Sequence, residues 1–242
     1  MEDMIALKKA LGALGAESSE QVLKKFRTYM DGVLRWNQKV NLTTITDPED
    51  FVVKHFIDSV ICADYPEYED AKKIIDVGTG AGFPGIPLAI ISPEKEFTLI
   101  DSLNKRLKII DELCQDTEIK NVVTLHTRAE ELAGNKDHRQ QYDLCVSRAV
   151  ANMSVLAEYC LPFIKTGGFL LAYKGPEAET EVKSAEHALW LLGGRAEEVR
   201  EGKLTEFGIN HKVVVIKKIK DTPSKYPRKP GTPAKEPLKK YF

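Results

Sequence analysis

Three glycines, Gly78, Gly80 and Gly82, recur at every second position directly after the apolar run Ile74-Ile75-Asp76-Val77, and Phe83-Pro84-Gly85 follows them. Glycine lets a backbone turn sharply and lets a ligand approach without a Cβ in the way. A helix starting there adds free N–H groups and positive potential. Asp101 closes the next apolar run, 19 residues after Gly82. A carboxylate at that place can accept two hydrogen bonds from ribose hydroxyls. Loop and acid together predict a site for a nucleoside-containing cofactor at the edge of a parallel sheet. Spacing leaves two cofactors open. Gly78-x-Gly80-x-Gly82 suits S-adenosylmethionine, and Gly80-x-Gly82-x-x-Gly85 also satisfies the dinucleotide pattern. Two features favour the methyl donor. Asp76 is placed to support the glycine loop through backbone N–H groups. Pro84 and Pro87 crowd the helix start, where a pyrophosphate needs successive free N–H groups.

Few residues offer acid–base or nucleophilic chemistry. A fourth apolar run, Tyr142 to Val146, leads into Ser147-Arg148-Ala149-Val150. Methylation of an exocyclic amine usually needs a polar-Pro-Pro-aromatic loop here, which this stretch lacks. Attack from pyrimidine C5 needs a thiolate. Cys145 falls inside a strand and Cys160 at helical spacing with Val155, Leu156 and Tyr159, so both read as core thiols. His55, Asp58 and Ser59 lie close together on one helix, where they either line a site or form a polar face. Trp36, Asn37 and Asn41 read as structural ties. Lys174 ends a fifth run, where it either meets a phosphate or is solvated. The histidines and cysteines show no metal spacing. The four cysteines read as reduced thiols of a cytoplasmic protein.

The elements that must position these residues follow from pattern. Residues 1–65 predict a helical region. It includes a helix over 4–14, a capping box of Ser18 and Gln21, and a helix started by Asp47-Pro48 that buries Val52, Val53, Phe56, Ile57 and Val60. From residue 66 to 220 short apolar runs (74–77, 97–101, 122–125, 142–146 and 169–173) alternate with helical stretches (84–91, 103–115, 152–164 and 176–192). That alternation predicts an α/β fold, a mostly parallel sheet with helices on both faces. A β-like stretch at 196–204 and the run 212–218 predict an antiparallel pair closing it. No apolar run reaches the roughly 18 residues of a membrane span. The 35 Lys and Arg nearly balance 36 Asp and Glu. Nine basic residues lie between Lys217 and Phe242 against Asp221 and Glu236, so this end carries +7 and the remainder −8. Residues 221–242 read as a basic, Pro-rich tail, extended rather than helical. It is either solvated or a polyanion-binding edge on which Tyr226, Tyr241 and Phe242 could stack bases.

These residues also carry a resemblance. DVGTGAGFPGIPLAI, preceded by WNQKVNLT and HFIDSV and followed by FTLIDSLNKR, TRAEEL, LCVSRAVA and YPRKPGTPAKEPL, resembles the small-subunit ribosomal RNA guanine-N7 methyltransferase family, once called glucose-inhibited division protein B. The likeness spans roughly residues 33–238. It implies a class I, Rossmann-like S-adenosylmethionine-dependent methyltransferase that modifies N7 of one guanosine in 16S rRNA, as naked RNA or in the 30S subunit. It places Gly78 and Phe83 in the glycine-loop motif and Asp101, Ser102 and Leu103 at the ribose. Ala129 and Glu130 fall at the adenine, and Arg148 near both cofactor and base.

The chemistry is consistent with that implication. Guanine N7 is an exposed lone pair without a proton, so no general base is required and positioning does the work. Methylation makes the base cationic, however, and a free arginine would oppose that charge. Arg148 is therefore expected to bind guanine O6, a phosphate or the methionine carboxylate, or else to pair with a structural acid such as Asp76. A monomeric enzyme is expected. Two rival readings are an NAD-dependent oxidoreductase, for which no Tyr-x-x-x-Lys or His–Arg set is present, and an RNA-binding assembly factor with a vestigial pocket.

Overall fold

The computed structural model describes residues 3–148, 150–209 and 211–239. Among them, seven strands form one sheet: β1 (Lys73–Val77), β2 (Glu96–Asp101), β3 (Val122–His126), β4 (Tyr142–Arg148), β5 (Ile164–Lys174), β6 (Gly194–Glu201) and β7 (Lys212–Lys218). Their spatial order is β3-β2-β1-β4-β5-β7-β6. β1 to β5 pair in parallel, and β7 runs antiparallel to both neighbours, as the sequence pattern predicts. The order reverses direction at β1, which opens a crevice at the carboxyl ends of β1, β2 and β4.

Side-chain alternation sorts the core onto two faces. Ile74, Leu99, Leu144, Val146 and Leu171 point to one. They meet α1 (Asp3–Ala13), α2 (Glu20–Asn37) and a helix α3 that runs as Pro48–Phe51, Val52–Ile57 and Asp58–Val60. After the short α4 (Pro66–Glu69), α5 (Gly85–Ile91) and α6 (Asn104–Asp116) complete this layer. Ile75, Val77, Cys145, Leu170 and Ala172 point to the other face. The short α7 (Ala129–Leu132) borders it, and α8 (Met153–Cys160) and α9 (Ala178–Leu192) cover it.

Several local expectations shift. The cap of α2 is Ser19 rather than Ser18, its side chain accepting from Val22 N at 3.4 Å. The predicted helix 152–164 ends at Cys160, because Leu161–Phe163 tighten into a 3-10 turn around Pro162 and Ile164 already starts β5. β3 is an edge strand, so Val123 is 60% exposed instead of buried. The middle of α3, Val52–Ile57, is a π-turn in which Asp58 N donates to Val53 O five residues back. Inserted π-turns recur at functional sites.

The tail is neither free nor wholly extended. Tyr226 is buried, which removes it as a stacking platform. Thr232–Lys235 form a short helix, α10, with Pro233 in its first turn, where a missing N–H costs nothing. Arg139 holds the approach to this segment by donating to the carbonyls of Thr222 (2.7 Å) and Tyr226 (3.0 Å). Tyr241 and Phe242 lie outside the described residues.

Candidate functional site

The glycine loop turns through left-handed backbone at Gly78, Gly80 and Gly82, with φ of 75°, 61° and 91°. Gly82 is required twice over: a Cβ there would also sit 2.4 Å from Tyr29 Oη. Tyr29, buried on α2, donates to Ala81 O at 2.9 Å and so supports the loop from below. Asp76 does what its position predicts. Its Oδ2 accepts from Gly85 N (2.9 Å) and Thr79 Oγ1 (2.7 Å). Its Oδ1 is buried and has no hydrogen-bond partner. Burial raises this carboxyl to about 7, against the lowering effect of those two hydrogen bonds.

Asp101 sits opposite. Its Oδ2 accepts from Gly80 N at 3.0 Å and its Oδ1 from Leu103 N at 2.8 Å. Each oxygen keeps a second lone pair for a ribose hydroxyl. Gly78, Asp101, Ser102, Ala129 and Glu130 line one cavity of about 160 Å³, together with Arg128, Tyr159 and Val150. Phe83, Leu103 and Arg148 do not line it. The Leu103 side chain is half-exposed, and its backbone N–H orients Asp101. The Phe83 ring is buried among Phe51, Phe56 and Tyr29, anchoring the loop to the helical layer.

Arg148 ends β4, on the far side of β1 from Glu130. It pairs with buried Asp58, donates to Lys54 O (3.1 Å), meets His55 Nδ1 (3.3 Å) and covers the Phe83 ring at 5.4 Å. The expected alternative acid, Asp76, is not its partner, because the π-turn brings Asp58 there instead. The other Asp58 oxygen is 2.7 Å from His211 Nδ1. His55 stacks flat on Phe83, with centroids 4.4 Å apart, and its Nε2 meets Thr43 Oγ1 at 2.7 Å. Burial first, and then Arg148, lower this imidazole to about 3, so the ring is neutral. Asn37 accepts from Leu42 N and Thr43 N and thereby builds the loop that presents Thr43. Trp36 ties α2 to Glu112 of α6 at 3.0 Å. The two N-terminal motifs thus converge on Arg148, a convergence that sequence spacing does not reveal. Ser59 is fully buried and donates to His55 O within the helix, so it lines nothing.

Lys174 is neither solvated nor open to a phosphate. It is buried, pairs with Glu181 at 2.8 Å and donates to Ala151 O. Glu181 also accepts from Met153 N. Together they hold the segment after β4, whose Val150 overhangs Gly78. Cys145 and Cys160 are buried in the core, and burial pushes the Cys145 thiol far from ionisation.

Comparison with known proteins decides the family. The model for rRNA small subunit methyltransferase G matches residues 22–209. The chain belongs to that family. Ribosomal RNA small subunit methyltransferase G of Alkaliphilus metalliredigens is 46% identical over 239 residues, covering 99% of this chain and 100% of that one. Its counterpart in Lactobacillus johnsonii is 47% identical over 232 residues, with 95% and 97% covered. In fold the chain is similar to an S-adenosylmethionine-dependent O-methyltransferase of Thermotoga maritima, at TM-score 0.52 and 14% identity over 78% of this chain and 71% of that one.

The family's cofactor is S-adenosylmethionine, and the crevice of this methyltransferase fits it. A pyrophosphate would find few donors, because the N–H groups of Gly78, Thr79, Gly80, Gly82, Phe83, Gly85 and Ile86 all have protein acceptors. It would also meet the carboxylates Asp101 and Glu130 at the rim and Asp76 beneath the loop. Asp101 and Glu130 at the rim suit a cationic sulfonium and its ammonium group instead.

Proposed function

We propose that this methyltransferase transfers the methyl group of S-adenosylmethionine to N7 of one guanosine in 16S rRNA by positioning alone, as a monomer in the cytoplasm. When bound, the cofactor supplies a methyl carbon on a positively charged sulfur; the N7 lone pair takes the carbon and the C–S pair stays on sulfur. Asp101 would hold the ribose of the cofactor and Glu130 its adenine.

The observation that carries this reading is what stands at the end of β4: an arginine neutralised by a buried acid. Asp58 cancels the charge of Arg148, so the guanidinium can donate to guanine O6 or a phosphate without opposing the cationic product. His55 is too weak a base, and Asp76, the carboxyl held near neutrality, is sealed beneath the loop. Guanine N7 carries no proton, so transfer to it needs no base at the site. A cavity of about 180 Å³ beyond Arg148, lined by Lys54, Asp58, Gly175, Pro176 and His211, gives a splayed base a place to enter. Lys225, Lys229 and Lys235 on the tail supply cations for the phosphates.

The test is methyl transfer to unmethylated 30S subunits and, in parallel, to naked 16S rRNA, read by nucleoside mass spectrometry. N7-methylguanosine is the expected product, and the better substrate shows whether ribosomal proteins help present the base. Cofactor binding without methylation of either RNA would overturn the substrate.

A further inference from the structure

The tail motif YPRKPGTPAKEPL is not explained by phosphate binding, because its arginine and its glycine face inward. Arg228 pairs with Glu158, which is fully buried on α8: Nη2 lies 2.7 Å from Oε2, Nε 2.9 Å from Oε1, and the backbone N of Arg228 donates to Oε1 at 2.8 Å. A carboxylate with three such donors is a fixed post. Three residues on, Gly231 adopts φ 81°, and its N–H donates to Glu130 Oε1 at 3.0 Å. Glu130 and Tyr159, the neighbour of Glu158, both line the cavity that also holds Asp101. The tail therefore crosses the outer side of the adenine end and grips one of its walls.

We infer that residues 228–231 complete the methyl-donor site, Arg228 and Gly231 acting as positioning residues that hold Glu130 and Tyr159 against the adenine. The inference rests on the reading of this cavity as the donor site. Three features support it. A hydrogen bond to a charged group contributes more than a neutral one, so the Gly231 contact fixes which Glu130 oxygen faces the ligand. Gly231 requires a glycine only to place that N–H, since no atom lies within 4 Å of a Cβ built on it. The post that holds it, Glu158–Arg228, is too well satisfied to be incidental to a solvated tail. RNA that engages the tail lysines then acts on the same segment that closes the donor site.

The test uses the full-length protein and calorimetric titration with S-adenosylhomocysteine and with 5′-methylthioadenosine, which keeps the adenosine and lacks the amino acid. Arg228→Ala strands a buried carboxylate and can misfold. Gly231→Pro removes the N–H and forbids φ 81° without touching any charge, and it carries the test if Arg228→Ala does not fold. Each folded variant is expected to bind both ligands about tenfold more weakly. Arg228→Lys is expected to recover part of the loss. Unchanged affinity in Gly231→Pro would overturn the inference, as would weakened binding of S-adenosylhomocysteine alone, because the effect would then lie at the methionine end. A wild-type protein that binds neither ligand would overturn the donor-site reading itself, and the inference with it.

Discussion

Residues 3–60 and residues 218–239 both add to the sheet, on opposite faces and at opposite ends of the crevice, and they hold it by different means. The N-terminal layer works through packing. Phe26, Phe51, Phe56 and Phe83 form an edge-to-face cluster that seats the glycine loop, and the buried Asp58 of the same layer pairs with Arg148. The C-terminal segment has little apolar surface beyond Tyr226, Pro233 and Leu238. It is fastened by charge instead: Arg139 on carbonyls, Arg228 on Glu158, and Lys218 buried among Leu161 O and Thr222. Packing is insensitive to pH and salt, whereas buried charges couple stability to protonation. The Arg148 side is thus held mainly by packing, and the Glu130 side is fastened mainly by charge.

Breaking the Asp58–Arg148 pair of the N-terminal layer is expected to have the largest effect. Asp58→Ala leaves Arg148 nearly buried and unpaired, and should cost about 3–5 kcal/mol in urea unfolding together with most of the methyl transfer. Arg148→Ala should abolish transfer with a smaller loss of stability. Unchanged activity and unchanged donor affinity in that variant would remove Arg148 from the site.

Gly82→Ala comes next. It forces φ of 91° on a Cβ and drives that Cβ into Tyr29, so donor affinity should fall at least tenfold, by about 1.4 kcal/mol or more, in a titration with S-adenosylhomocysteine. Tyr29→Phe removes only the support beneath Ala81 O. It should cost about 1–3 kcal/mol of stability by thermal melting, and a smaller cost would mean that packing alone seats the loop.

A pH-dependent effect sharpens the contrast of the C-terminal side. Burial, and then Arg139, lower Lys218 to about 7 from the ordinary 10.5. The unfolded chain therefore binds more protons between those values, and stability should rise as the pH is raised from about 7 towards 10. Lys218→Met should flatten that rise in denaturant titrations across the range. A pH profile unchanged by the substitution would mean that the ammonium stays charged and well solvated.

Much of this was legible along the chain. The strands, their parallel order, the closing antiparallel pair and the ligand loop all rest on local signals: apolar runs, glycine spacing, an acid at a strand end. Gly78, Asp101, Ser102, Ala129 and Glu130 were singled out by motif and do share a cavity. Phe83 and Arg148 were singled out too, but the surroundings that give them their work were not visible. Lys174 shows the same gap, because its partner Glu181 belongs to another element.

By itself, then, the sequence determined what period and spacing can encode: the α/β alternation, the glycine loop with its two acids, the family, and the lack of the polar-Pro-Pro-aromatic loop of amine methylation. Only the tertiary structure decided which acid neutralises Arg148, that a π-turn aims Asp58 at it, and that the basic tail is a strap rather than a free arm. The reason is physical. Periodicity reports interactions within a helix turn or a strand pair. The Asp58–Arg148, Glu158–Arg228 and Glu130–Gly231 contacts join residues 70 to 101 positions apart. Only the packed sheet brings such pairs together and dries them enough for their charges to matter.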